Sequence, residues 1–123
     1  MRYLIVFVGG GLGAVARYVA GAAIMAWYGG LFPLGTLVIN VTGSFLIGLL
    51  MTLLTETWHL DPHWRLALVV GFLGGYTTFS SFEYESYRAI RDGGQWLGLL
   101  NITASVVMGY LAVRTGAAIA GHR

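Results

Sequence analysis

The sequence predicts an all-α membrane protein, with four transmembrane helices filling one domain of residues 1–123 and the third helix broken mid-membrane. Three observations predict it. Hydrophobic residues make up 57% and charged residues 10%, against roughly 25% charged in a soluble domain, and mean hydropathy is +0.74. The charges are clustered, leaving Tyr3 to Ala16, Tyr18 to Thr55, Leu66 to Phe82 and Gly93 to Val113 without one. Finally, the third apolar run ends in paired glycines, threonines and serines, which make a poor helix in the middle of a span.

A bilayer core of about 30 Å takes about 20 helical residues. Helix one spans residues 2–28; its apolar stretch continues past Arg17 into Val19 to Trp27, which reads as a retained helix rather than a cleaved signal peptide. Gly29-Gly30-Leu31-Phe32-Pro33 turns the chain into helix two, residues 33–56. Thr57 to His63, with the turn signal Asp61-Pro62, leads to helix three, residues 64–91, and Asp92-Gly93-Gly94 leads to helix four, residues 94–120. Gly9-x-x-x-Gly13, Gly71-x-x-x-Gly75, Ser44-x-x-x-Gly48 and Ser105-x-x-x-Gly109 each put two small residues on one face, a pattern of close helix packing in lipid.

Basic residues near the span ends set orientation, the excess facing the cytoplasm. Here Arg2, Arg65, Arg114 and Arg123 fall on one side and Arg17, Arg88 and Arg91 on the other, so the bias almost vanishes. A chain with so little preference inserts both ways round, and opposed copies pair about a two-fold axis in the membrane plane. No motif repeats within the chain, so the expected assembly is an antiparallel, dual-topology homodimer.

Several function classes are excluded. The absence of cysteine removes disulfides, thiolate metal sites and cysteine nucleophiles. A net charge of +2, dispersed around the spans, does not suit nucleic acid. Gly9-x-Gly11-x-x-Ala14 matches a dinucleotide fingerprint but lacks the acidic residue about twenty positions on. The sequons at Asn40 and Asn101 lie within spans, and Asp61-Pro62 interrupts the helix that would align His59 with His63 as metal ligands. With no Ser/His/Asp set or paired carboxylate at membrane depth, the chain does not read as an enzyme.

The polar residues within the spans need a partner or a water-filled path. Thr36, Asn40 and Gly43 or Ser44 share a face of helix two, as do Asn101, Ser105 and Gly109 on helix four. In helix three, Gly74-Gly75-Tyr76-Thr77-Thr78-Phe79-Ser80-Ser81-Phe82 predicts a break near Gly75 to Thr78. Broken backbone at that depth lines a cavity or an ion site, offering carbonyls to a cation and N–H groups and hydroxyls to an anion. Phe79 and Phe82, three apart, are either core aromatics or rings whose positive edges lie beside those hydroxyls. Such edges replace water around a small anion without the deep trap of a bare arginine.

Gly9-Gly10-x-x-Gly13-Ala14-x-x-Arg17-Tyr18, Gly35-Thr36-Leu37-x-x-Asn40-x-x-Gly43-x-Phe45-x-x-Gly48 and Gly71-x-x-Gly74-x-x-Thr77-Thr78-Phe79-Ser80-Ser81-Phe82-x-x-Glu85 closely resemble the Fluc (CrcB) family of bacterial fluoride channels. The resemblance covers essentially the whole chain. It implies a dual-topology homodimer in the bacterial plasma membrane, two antiparallel pores, passive fluoride export and a structural sodium ion (Na+) at the dimer centre. Carried over by position, Phe79 and Phe82 resemble the pore phenylalanines and Asn40 the pore amide. Thr36, Thr78, Ser81, Glu85 and Ser105 resemble polar pore positions, Arg17 the helix-one arginine of an electropositive entrance, and Gly74 and Thr77 the sources of sodium-binding carbonyls. Ser81 stands where many relatives have threonine, and Asn101 where some have tyrosine. The rival reading is a small multidrug-exporter-like cation/proton antiporter, likewise short and four-helical. That exchange needs a buried carboxylate, and helix one has Arg17 and no acid.

Overall fold

The structure, a computed structural model, describes residues 1–121. Arg123, one of the arginines in the orientation count, lies outside the described residues. Every regular element among the described residues is helical. Helix α1 (Arg2–Tyr28) ends at Gly29, whose φ of 68° and N–H bond to the Met25 carbonyl form a left-handed cap. Helix α2 (Leu34–Thr52) follows Pro33 and tightens no further but widens into a π-helical turn at Leu53–Thr57. Asp61 then caps the next helix by accepting the His63 N–H, with Pro62 in the first turn, where a missing donor costs nothing. That N–H, and the His63 imidazole 2.7 Å away, hold the Asp61 carboxyl below the usual carboxylate range.

Helix α3 is continuous through Pro62–Arg65, the π-helical Leu66–Leu73 and Gly74–Tyr76. Thr77 is extended, at φ −86° and ψ 159°, and α4 (Ser80–Arg91) begins three residues later. Gly93, at φ 96°, turns the chain into α5 (Gln95–Gly121). The break thus lies slightly later than the sequence predicts, because Gly74 and Gly75 remain helical. The absent side chain of Gly75 serves packing instead: a Cβ there would land on the Gly10 carbonyl.

Arg2–Tyr28, Leu34–Thr57 and Gln95–Gly121 are each long and apolar enough to cross a membrane. The outward faces of α1 and α5 carry large exposed apolar side chains, including Phe7, Val15 and Tyr18 on α1 and Trp96 and Tyr110 on α5. A water-soluble surface does not look like this.

Two glycine-lined crossings hold the bundle together. In the first, α1 lies on α3, with Gly9 and Gly71 backbone to backbone and Gly13 against the Phe72 carbonyl. In the second, Gly48 of α2 meets the Val113 carbonyl of α5, and Gly116 of α5 meets the Phe45 carbonyl of α2. Close backbone approach is how helices gain packing energy in lipid, where burial of apolar surface gives little. A methyl at Gly13 must therefore push the helices apart, whereas one at Gly11 meets nothing within 4 Å. Gly13→Ala should lower stability by about 1–3 kcal/mol, while Gly11→Ala should leave it unchanged or raise it by up to about 1 kcal/mol. Thermal unfolding of both variants in detergent, followed by circular dichroism, checks this contrast.

Candidate functional site

The site is built around the interruption between α3 and α4. A continuous helix would send the Thr78 N–H to the Gly74 carbonyl and the Ser81 N–H to the Thr77 carbonyl. Neither bond forms. The Thr78 N–H donates to Asn40 Oδ1 at 2.9 Å, and Asn40 Nδ2 donates to the Thr78 carbonyl at 2.8 Å. The Ser81 N–H donates to Thr78 Oγ1 at 3.2 Å, so Thr78 acts as a cap for α4. The Asn40 carboxamide thus takes the place of a neighbouring strand, satisfying donor and acceptor of one residue at once.

These exchanges release two carbonyls, those of Gly74 and Thr77, from their helical donors. Other groups at the break are engaged by Thr77 and Arg17. Thr77 donates both its N–H and its hydroxyl to the Leu73 carbonyl, at 3.0 and 2.9 Å. Arg17 reaches from α1 to donate Nε to the Gly75 carbonyl at 3.2 Å. A guanidinium is favourably placed there, because a helix ends in unpaired carbonyls carrying partial negative charge. The site therefore combines free carbonyl dipoles with an arginine held one residue away.

A cleft of about 570 Å³ opens beside the break. Its walls include Asn40, Gly74, Thr77, Thr78, Phe79, Phe82 and Ser105. The two phenylalanine rings lie 5.9 Å apart at 60°, an edge-to-face arrangement. Phe82 is 6% exposed and belongs to the core, whereas Phe79 is 72% exposed and projects from the chain.

The cleft thus gathers Asn40, Ser105, Gly74, Thr77, Thr78, Phe79 and Phe82 of the predicted site residues, and of the others Thr36 and Glu85 lie outside it. Thr36 Oγ1 donates to Glu85 Oε1 at 2.6 Å, joining α2 to α4. Glu85 lines a second cavity of about 350 Å³ with Arg88 and Asp92 at the other end of α4. Ser81 contributes its backbone N–H to the cap, and Arg17 contacts the break from the α1 side.

Ser86 is a residue that sequence reasoning misses. It lies in the polar run Glu83 to Arg91, yet it is 2% exposed and bonded to the fully buried Asn101. Its four-residue spacing from Phe82 was the available signal, since a serine in a helix can bond the carbonyl four residues back.

The Asn40 contacts have a direct energetic consequence. Asn40→Asp retains an acceptor for the Thr78 N–H but sets a second acceptor against the Thr78 carbonyl. Asn40→Leu leaves both groups unmatched. Each substitution should cost about 1–3 kcal/mol, the penalty of an unsatisfied buried polar group. Detergent unfolding curves should shift to lower temperature for both variants, and an unchanged midpoint would contradict the clamp.

The profile of the CrcB-like proteins (Camphor Resistance, CrcB) matches residues 4–117. A protein of Solibacter usitatus named fluoride-specific ion channel FluC is 60% identical over 120 residues, covering 98% of both chains. Proteins of the same name from Acidobacterium capsulatum and Hydrogenobaculum are 50% and 46% identical, covering 100% and 98% of this chain and 98% of each relative. With three apolar helices long enough to cross a bilayer and a match over nearly its whole length, this chain is a multi-pass membrane protein and belongs to the CrcB family.

Proposed function

We propose that this protein is a passive, fluoride-selective ion channel that lets cytoplasmic fluoride leave the cell. The observation that carries the reading is 60% identity, over 98% of both chains, to a protein named as a fluoride-specific channel. The clamped break beside an edge-to-face phenylalanine pair supports it, because it joins donors and ring edges in one cleft.

In this reading α3 and α4 form a single interrupted span, which makes four transmembrane crossings. The functional unit is an antiparallel homodimer with two pores, supported by the near-absence of charge bias and by the exposure of Phe79. A ring that is 72% exposed on one chain gains a partner when a second copy covers it.

Each pore residue then has a task set by its chemistry. Phe79 and Phe82 present positive ring edges to the anion. Asn40 spends one amide hydrogen on Thr78 and has a second to offer the ion. Thr36 and Glu85, joined at 2.6 Å, and Ser81 and Ser105 carry the polar track, while Arg17 raises the local potential at the entrance. The carbonyls of Gly74 and Thr77, released from their helical donors, suit a hard cation, and they would hold the sodium ion at the dimer centre. Sodium supplies a fixed positive charge between the copies.

The driving force needs no coupling machinery. Hydrogen fluoride crosses lipid as a neutral molecule from acidic surroundings and ionises in the more alkaline cytoplasm, where the anion is trapped. A negative-inside potential then favours fluoride exit by about 2.3 kcal/mol per 100 mV. Selectivity against chloride comes from a narrow, donor-lined path with binding favourable enough to enter and weak enough to leave.

Purified protein in potassium-fluoride-loaded liposomes, with valinomycin setting the potential, should release fluoride rapidly to a fluoride electrode and release no chloride in a parallel preparation. Absence of release from dimeric, sodium-supplied protein would overturn the reading. Phe79→Ala and Phe82→Ala should each slow fluoride release by at least about tenfold, equivalent to about 1.4 kcal/mol at the barrier.

A further inference from the structure

Behind the cleft wall runs a chain of hydrogen bonds in which every donor is determined. The Ser86 hydroxyl donates to the Phe82 carbonyl at 2.8 Å, and a carbonyl can only accept. Ser86 has no second hydrogen, so toward Asn101 it accepts, from Nδ2 at 2.9 Å. The carboxamide orientation follows: Oδ1 of Asn101 faces Ser105 and accepts the Ser105 hydroxyl at 3.3 Å. Asn101 is 0% exposed and Ser86 2%, so water does not compete for these bonds. Ser105 is partly exposed and lines the cleft with Phe82 and Asn40. Its single hydrogen points away from the cleft, and only its lone pairs face in.

We propose that Asn101 and Ser86 are positioning residues that make Ser105 a hydrogen-bond acceptor in the cleft, so that Ser105 binds a water molecule accompanying the ion rather than the anion itself. Lone pairs repel a bare anion. A water molecule resolves the mismatch, donating one hydrogen to Ser105 Oγ and the other to the anion. The ion then passes this point partly hydrated and without the trap that an added hydroxyl donor would create. This inference rests on the channel reading.

The test is a double-mutant cycle on fluoride release from liposomes, at one fixed fluoride gradient, with Asn101→Leu and Ser105→Ala. Leucine removes the acceptor for the Ser105 hydroxyl and frees its hydrogen to hold the ion. Asn101→Leu should slow release by about tenfold in the wild-type background, the weight of a charge-assisted hydrogen bond, and by less than about twofold in the Ser105→Ala background. Ser86→Ala leaves all the cleft residues in place but removes the anchor of the Asn101 amide, and it should slow release about threefold, again only when Ser105 is present.

A purely structural role for Asn101 predicts equal slowing in both backgrounds, and that result, or no slowing by Asn101→Leu or Ser86→Ala with Ser105 present, would overturn the proposal while leaving the channel reading intact. If wild-type protein releases no fluoride, both fall together.

Discussion

One side chain, Asn40, closes both hydrogen-bonding positions of Thr78, and the rest of the site depends on it. A helix interrupted within a bilayer exposes backbone groups that have no water to turn to, at a cost of several kcal/mol for each. A carboxamide on a neighbouring helix is among the few side chains that carry donor and acceptor in the right relation to replace both lost bonds. Asn40 is delivered from α2, 38 positions away in the chain, so the interruption is a tertiary structure and not a local preference.

Three consequences follow from that clamp. It diverts the Thr78 N–H, and Thr78 in turn diverts the Ser81 N–H, so the Gly74 and Thr77 carbonyls lose their helical donors while both N–H groups stay bonded. It starts α4 at Ser80, which fixes the register that places Phe82 in the core and Phe79 outside it. It also ties the break to α2, whose own position is set by the glycine crossing with α5 at Gly48 and Gly116. The small residues and the polar site are thereby parts of a single construction. Close crossings bring the helices near enough for short side chains to bridge them, and those bridges hold an otherwise unstable interruption.

The long apolar runs made α1, α2 and α5 legible in the sequence, because in lipid the length of a span and its lack of charge nearly determine the element. The interruption was legible from Gly74 to Ser81 by composition alone. Its exact start was not, because Gly75 answers to the Gly10 backbone of α1, a contact that one-dimensional spacing does not reveal. For the same reason the reading of Arg17 was incomplete: its bond to the Gly75 carbonyl joins residues 58 positions apart. The polar stripes on α2 and α5 were visible at helical spacing, but Ser86 was hidden by its charged neighbours. The π-helical turn at Leu66–Leu73 left no compositional mark, since the apolar run continues through it unchanged.

The interruption is clamped, not merely frayed. Residue-resolved amide hydrogen exchange of the intact protein in lipid reads this directly at Thr78 and Ser81. The structure predicts slow exchange at both, comparable to the flanking helices, although neither N–H belongs to a helical ladder. Exchange at Thr78 as fast as at the loop residues around Gly29 would contradict it.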